Sequence, residues 1–213
     1  MIGAGHIGGN IARLAALAGY DVTVSFARDR ANLTALATEI GGTAGESADA
    51  AAVDLVVLSV PWGVIDEALA QAGSLAGRIV IDTTNQFGRG VAASLNGRTA
   101  ARYNADRMPG ASYTKCFNTL TAGFQAAAAT RTGDARVVQW IAGGDSPAKT
   151  TVAELVEAVG YVAIDLADID SCGVMEAPRR PGAVYGEEYR QAGADAVVTA
   201  VRAGRPIPPP PVY

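Results

Sequence analysis

Gly3, Gly5 and Gly8 are spaced as G-x-G-x-x-G within Gly3-Ala4-Gly5-His6-Ile7-Gly8. That spacing suits the binding of a dinucleotide's pyrophosphate. Gly3 permits a tight turn out of a strand, Gly5 lets backbone approach the phosphates, and Gly8 lets the next helix pack close to the sheet. The phosphates would sit over the helix N-terminus, where free N–H groups and the helix dipole favour negative charge. Ala4 and Ile7 flank that position. His6 is the only histidine; inside the loop it reads as a pyrophosphate neighbour rather than as an acid or base.

A second set of residues selects the nucleotide. NAD sites usually carry Asp or Glu at the end of the second strand, about 20 residues past the glycines, to hold the ribose 2′-hydroxyl. Here that place holds Ser25-Phe26-Ala27-Arg28. Arg28 can clamp a 2′-phosphate with its planar fork and stack on adenine, and Ser25 can add a hydroxyl donor. Arg30 adds positive potential and Asp29 opposes it. The pattern predicts NADP(H).

In open α/β sheets, ligands bind beyond the carboxyl ends of the strands. Four predicted strand ends carry unusual residues: Ser59-Val60-Pro61-Trp62, Thr83-Thr84-Asn85, Lys115-Cys116-Phe117-Asn118-Thr119 and Gly143-Gly144-Asp145. Val60, Pro61 and Trp62 can wall a nicotinamide, though Trp62 reads equally well as core. Asn85, Asn118 and Thr119 are the candidate substrate-binding set, the two asparagines orienting an amide or carbonyl; a turn cap is the alternative for Asn85. Asp145 reads better as a helix start, and Lys115 and Cys116 as structural. No catalytic constellation stands out. Hydride transfer between two cofactors needs none, because the protein then supplies alignment only.

The elements that must position these residues follow from the pattern. Ile11, Leu14, Ala15 and Ala18 recur at helical spacing, and Asp21–Ser25 reads as a strand. Helices are expected over 29–39, 47–52, from Pro61 to about Ala72, near Ala100, over 146–159 and over 187–202. Strands are expected over 53–60, 78–82, 112–117, 137–142 and 161–165, the first apolar enough to be buried on both faces. Residues 86–98 read as a mobile surface loop. The alternation predicts an α/β, doubly wound, mostly parallel Rossmann-type sheet. Residues 1–165 would form the nucleotide-binding domain, and 166–213 a small lobe ending in a proline-rich tail. Only Met1 and Ile2 precede Gly3, so the first, central strand reads as truncated. About five or six further apolar residues are expected upstream.

Composition bounds the partners. The chain has 213 residues and a net charge of −4, with 49% hydrophobic and 18% charged residues. It is globular, without the basic stripe of a nucleic-acid or membrane-surface binder. No apolar run approaches bilayer length. Cys116 and Cys172 are too few for a disulfide framework and read as reduced thiols of a cytoplasmic protein, with a single bridge as the alternative.

The chain resembles the family of NADP-dependent oxidoreductases that act on the deazaflavin coenzyme F-420. Five blocks carry the similarity, which extends to about Asp165: Gly3–Gly9, Ser25–Arg28, Val60–Trp62, Lys115–Thr119, and Gly144–Lys149 leading to Gly160-Tyr161 and Asp165. The resemblance implies NADP(H) held by the glycine loop, Arg28 and the loop at Pro61, and hydride exchange with a deazaflavin, usually in a homodimer. It departs at Ala27, where the family often has serine, and after Asp165. Three functions therefore stay open: a deazaflavin or flavin reductase, a reductase of a small imine or carbonyl compound, and an NADP(H)-binding protein without turnover.

Overall fold

The structure, a computed structural model, describes residues 1–88, 91–92 and 95–213. The glycine loop leads directly into α1 (His6–Leu17), whose Gly8, Gly9, Ile11, Ala12 and Ala15 face the core. The helix starts before the first periodic apolar residue, Ile11, because two small glycines let its first turn lie against the sheet. Next come β1 (Thr23–Val24), α2 (Arg30–Ile40), β2 (Thr43–Ala44), α3 (Ser47–Ala51), β3 (Leu55–Leu58), α4 (Ile65–Ala72) and β4 (Ile79–Asp82). Asp29 caps α2 by accepting from Ala31 N, so the charge opposed to Arg30 serves the helix.

β3, β4, β7 (Ser112–Lys115), β8 (Val138–Gly143) and β9 (Val162–Ala167) form one sheet in that order, and β1–β2 form a parallel pair. Ile2 joins the two parts, bridging Ser25 on one side and Leu58 on the other. Its N–H donates to Val57 O at 2.8 Å and its carbonyl accepts from Ser59 N at 2.8 Å. Met1 O accepts from Ser25 N at 2.9 Å. Met1–Gly3 thus occupies the central slot between β1 and β3. The sheet reads as a doubly wound α/β fold, mostly parallel, with a short first strand.

Side chains alternate between two cores, as a sheet covered on both faces requires. Val56, Leu58 and Val80 pack with Trp140, Met175 and Tyr189, while Val57 and Ile81 pack with Ile11, Phe117 and Tyr161. The segment after Asp165 joins the first core through Cys172, Met175, Val184 and Val197, the last on α8 (Gln191–Arg202). The tail is packed down: Ile207 is buried, Arg190 N donates to Tyr213 Oη at 3.0 Å, and the Arg190 guanidinium lies 4.2 Å from that ring's centre. Both cysteines are free and buried. No helix among the described residues is long and apolar enough to cross a membrane.

Several expectations need correction. β3 begins at Leu55, with Val53 exposed, and α8 begins at Gln191 rather than near Glu187. The loop expected over 86–98 contains a short antiparallel pair, β5 (Phe87–Gly88) with β6 (Val91–Ala92), while 89–90 and 93–94 lie outside the described residues. The largest correction is β8, which runs antiparallel to β7, pairing Lys115 with Ala142 and Thr114 with Gly143. Gly143-Gly144-Asp145 therefore points away from the carboxyl ends of β4 and β7. Asp145 caps α7 (Ser146–Ala158), accepting from Ala148 N at 2.8 Å.

Candidate functional site

The glycine loop follows from close approach of backbone. Gly3 has φ +102°, and a Cβ there would lie 2.2 Å from Ser59 O; a Cβ on Gly8 would lie 2.0 Å from Gly3 O. At Gly5, by contrast, a Cβ would meet nothing within 4 Å. Gly5 precedes α1 and gives it no side-chain cap. The first N–H groups of α1 thus face an open cradle, which fits a pyrophosphate. His6 and Gly5 are exposed, and Ala4 and Ile7 half-buried.

At the end of β1, Arg28 is exposed and forms no ion pair among the described residues, whereas Arg30 is held by Glu46 at 2.5 Å. Ser25 is corrected. It is fully buried and its hydroxyl donates to Met1 O at 3.0 Å, so it secures the sheet and offers a nucleotide no donor.

A cavity of about 330 Å³ opens at the carboxyl ends of β4 and β7. It touches the glycine loop through Ile7, and its lining includes Thr83, Asn85, Phe117, Asn118 and Thr119. The far wall is Arg179, Tyr185 and Gly186, from the segment after Asp165. The three predicted substrate-binding residues are thus together. Val60, Pro61 and Trp62, expected to wall a nicotinamide, do not line that cavity. Val60 is buried under Gly3, Pro61 is exposed, and Trp62 stacks on Tyr103 with ring centres 5.7 Å apart. Tyr103 lies on α5 (Ala100–Ala105), and the Arg107 guanidinium is 5.4 Å from the Trp62 ring centre.

The asparagines clasp the cavity wall. Asn85 Nδ2 donates to Asn118 O at 2.8 Å; Asn118 Nδ2 donates to Met175 O at 2.7 Å and to Asn85 Oδ1 at 3.2 Å. Gly186 N donates to Thr119 O at 2.8 Å. Asn118 Oδ1 and Thr119 Oγ1, both buried, have no partner among the described residues; each such orphan costs about 1–3 kcal/mol. Phe117 adopts φ +58°, a conformation non-glycine residues avoid at a cost of about 1–3 kcal/mol. Gln125, on α6 (Ala122–Ala128), holds it there by donating to Phe117 O at 2.9 Å.

Behind the cavity lies a buried charge network that sequence reasoning missed. Asp82 and Lys115 both have fully buried side chains, with Nζ 3.3 Å from Oδ2. Oδ2 also accepts from Asn104 Nδ2 at 2.7 Å and Tyr113 Oη at 2.5 Å, while Oδ1 accepts from Thr84 N at 2.7 Å. Lys115 Nζ donates to Thr84 O at 2.9 Å. Burial alone would raise the Asp82 pKa, but Lys115 and these hydrogen bonds hold it below 3.8. Burial first, then Asp82, pushes the Tyr113 phenol well above 10.0. The network is closed to ligands, and it fixes the backbone at Thr84 just before Asn85. A lysine and an aspartate at two predicted strand ends were the available signal; nothing local showed that the strands were neighbours. Tyr185 and Arg179, in an irregular segment, gave no signal at all.

This geometry defines the class: a Rossmann-type α/β protein with a glycine-rich loop before its first helix and an adjoining cavity at the strand ends. Residues 1–86 match the family described as NADP oxidoreductase, coenzyme F-420-dependent. A crystal structure of a hypothetical protein from Sinorhizobium meliloti is 29% identical, with a TM-score of 0.78 over 88% of this chain and 92% of that one. A proposed F-420-dependent NADP-reductase from an Arthrobacter species is 28% identical, with a TM-score of 0.66 over 80% and 84%. A reductive aminase from Aspergillus terreus, solved with NADPH4, cyclohexanone and allyl amine, is 22% identical with a TM-score of 0.59 and shares the fold. This chain spans about half of that protein, 54%. No curated protein matches the chain.

Proposed function

We propose that the chain binds NADP(H) and transfers a hydride between it and a deazaflavin, coenzyme F-420, or a flavin-like acceptor. One observation carries the reading: the cavity lined by Asn85, Asn118 and Thr119 adjoins the glycine loop through Ile7. A dinucleotide lying on the loop would thus place its reactive end at that cavity. When bound, the nicotinamide supplies the hydride at its C4. The residues do the rest by binding and alignment: Gly3, Ala4, Gly5, His6, Ile7 and Gly8 cradle phosphates, and Arg28 pairs with the 2′-phosphate. Asn85 and Asn118 tie the wall to Met175 and so limit access of water. The resemblance and the buried free cysteines support a cytoplasmic homodimer as part of the same reading. Mixing the protein with NADPH and an oxidised deazaflavin should bleach the deazaflavin absorbance; tight NADPH binding with no transfer to deazaflavin or flavin would overturn the acceptor.

Arg28→Ala should weaken NADPH binding by about 1.5–3 kcal/mol, the worth of a charge-assisted contact, and leave NADH binding nearly unchanged. Equal loss for both nucleotides would remove Arg28 as the 2′-phosphate clamp.

A second reading, reduction of a small imine or carbonyl compound, is favoured by Tyr185. Its half-buried ring lines the cavity, its hydroxyl makes no hydrogen bond among the described residues, and burial raises its pKa above 10.0. A phenol kept protonated can deliver a proton to the heteroatom as hydride reaches carbon. Tyr185→Phe should then slow reduction of a cyclic imine about 100-fold, the lower end for a general acid. An equal loss with deazaflavin and imine would assign Tyr185 to the shape of the cavity instead.

A further inference from the structure

We infer that Asn118 and Thr119 together read the carboxamide of the nicotinamide ring: Asn118 Oδ1 accepts from its NH₂, and Thr119 Oγ1 donates to its carbonyl. The inference rests on the proposed binding of NADP(H) and names the atoms that select its ring. Asn118 is 4% exposed and Thr119 3%, yet Oδ1 of the first and Oγ1 of the second have no hydrogen-bond partner among the described residues. Both residues line the cavity beside Ile7. The other amide atoms of the clasp are committed: Asn118 Nδ2 to Met175 O and Asn85 Oδ1, Asn85 Nδ2 to Asn118 O. What remains free is one pure acceptor and one hydroxyl that can donate. A primary carboxamide offers the converse pair, an N–H donor and a carbonyl acceptor on one carbon. A carboxylate in its place would set a negative charge against Oδ1, and a methyl ketone would leave Oδ1 bare.

Both oxygens are closed off from solvent in the structure. Burial without a partner is unfavourable, so a ligand group that reaches them relieves that cost. The backbone under them is held: Gly186 N donates to Thr119 O, and Gln125 Nε2 to Phe117 O one residue before Asn118. Two adjacent residues on a fixed turn would orient the ring as well as bind it, presenting one face to the acceptor.

Calorimetric titration with three probes tests this: NADP⁺, its 3-acetylpyridine analogue, in which methyl replaces the amide NH₂, and adenosine 2′,5′-bisphosphate, which lacks the ring. The analogue should bind about tenfold more weakly than NADP⁺, the loss for leaving Oδ1 unpaired. Thr119→Val removes no hydrogen bond among the described residues, so its melting temperature should match the parent's. It should weaken NADP⁺ about tenfold and change the bisphosphate by less than about twofold. Equal affinity of the parent for NADP⁺ and the analogue, or unchanged NADP⁺ binding by Thr119→Val, would overturn the pair while bisphosphate binding keeps the NADP(H) reading. Failure of both NADP⁺ and the bisphosphate to bind would remove that reading, and the pair with it.

Discussion

Lys115→Met will lower the stability of the fold by about 3–5 kcal/mol, read as a fall in the urea midpoint, because it strands a buried carboxylate. Asp82 has no exposure and shares Oδ2 with Asn104, Tyr113 and Lys115. With the ammonium gone, a negative charge remains in the core with only its hydrogen bonds from Tyr113, Asn104 and Thr84 to offset desolvation. Replacing both members, Lys115→Met with Asp82→Asn, should recover part of the loss, and the double-mutant cycle measures the coupling. The pH dependence follows from the directions of the shifts. Asp82 is held below its ordinary 3.8, so its contribution is complete above about pH 4 and is lost as pH falls through the folded value. Tyr113 is held above 10.0, so its contribution is complete below that and is lost as pH rises through the folded value. This cluster should therefore leave stability flat between about pH 5 and 9. In Lys115→Met the acid limb should move to higher pH, since the Asp82 carboxylate loses its cation. A loss under about 1 kcal/mol with an unmoved acid limb would show the pair to be dispensable.

The glycine loop should give the second large effect, and Gly5 should behave differently from Gly3 and Gly8. Gly3→Ala combines a left-handed φ of +102° with a Cβ 2.2 Å from Ser59 O. Strain and overpacking together should cost about 2–6 kcal/mol, and nucleotide affinity should fall with the distorted loop. Gly8→Ala faces Gly3 O at 2.0 Å and should be similarly damaging. Gly5 has φ −75° and open space beyond it. Gly5→Ala should change stability by less than about 1 kcal/mol, yet place a methyl where a pyrophosphate would approach and so reduce NADPH affinity at least about tenfold. Thermal melts and NADPH titrations of the three variants separate the two kinds of loss. If Gly5→Ala binds NADPH as tightly as the parent, phosphates do not lie over this loop.

The sequence by itself determined the parts of this protein whose cause lies within a few residues. The loop glycines, the start of α1, the apolar run of β3, the Asp145-Ser146-Pro147 helix start and the place of Arg28 just after the second strand could all be read locally. Spacing, caps and apolar period act over one or two turns of chain. Even Asn85, Asn118 and Thr119 were within reach, since strands of a parallel sheet bring their carboxyl ends to one side. The tertiary structure decided what depends on which strands become neighbours and in which direction they run. The antiparallel entry of β8 turned Gly143-Gly144-Asp145 away from the cavity. Ser25 lost its expected role because its hydroxyl faces Met1 O across the sheet, and Trp62 because α5 offers it Tyr103 and Arg107. Asp82 and Lys115 are 33 positions apart and meet because β4 and β7 are adjacent, in register at that pair. Tyr185 reaches the cavity from an irregular segment whose course is set by burial of Met175, Val184 and Tyr189 against the sheet. Local patterning cannot encode such a wall, because its geometry is the by-product of packing between elements far apart in the chain.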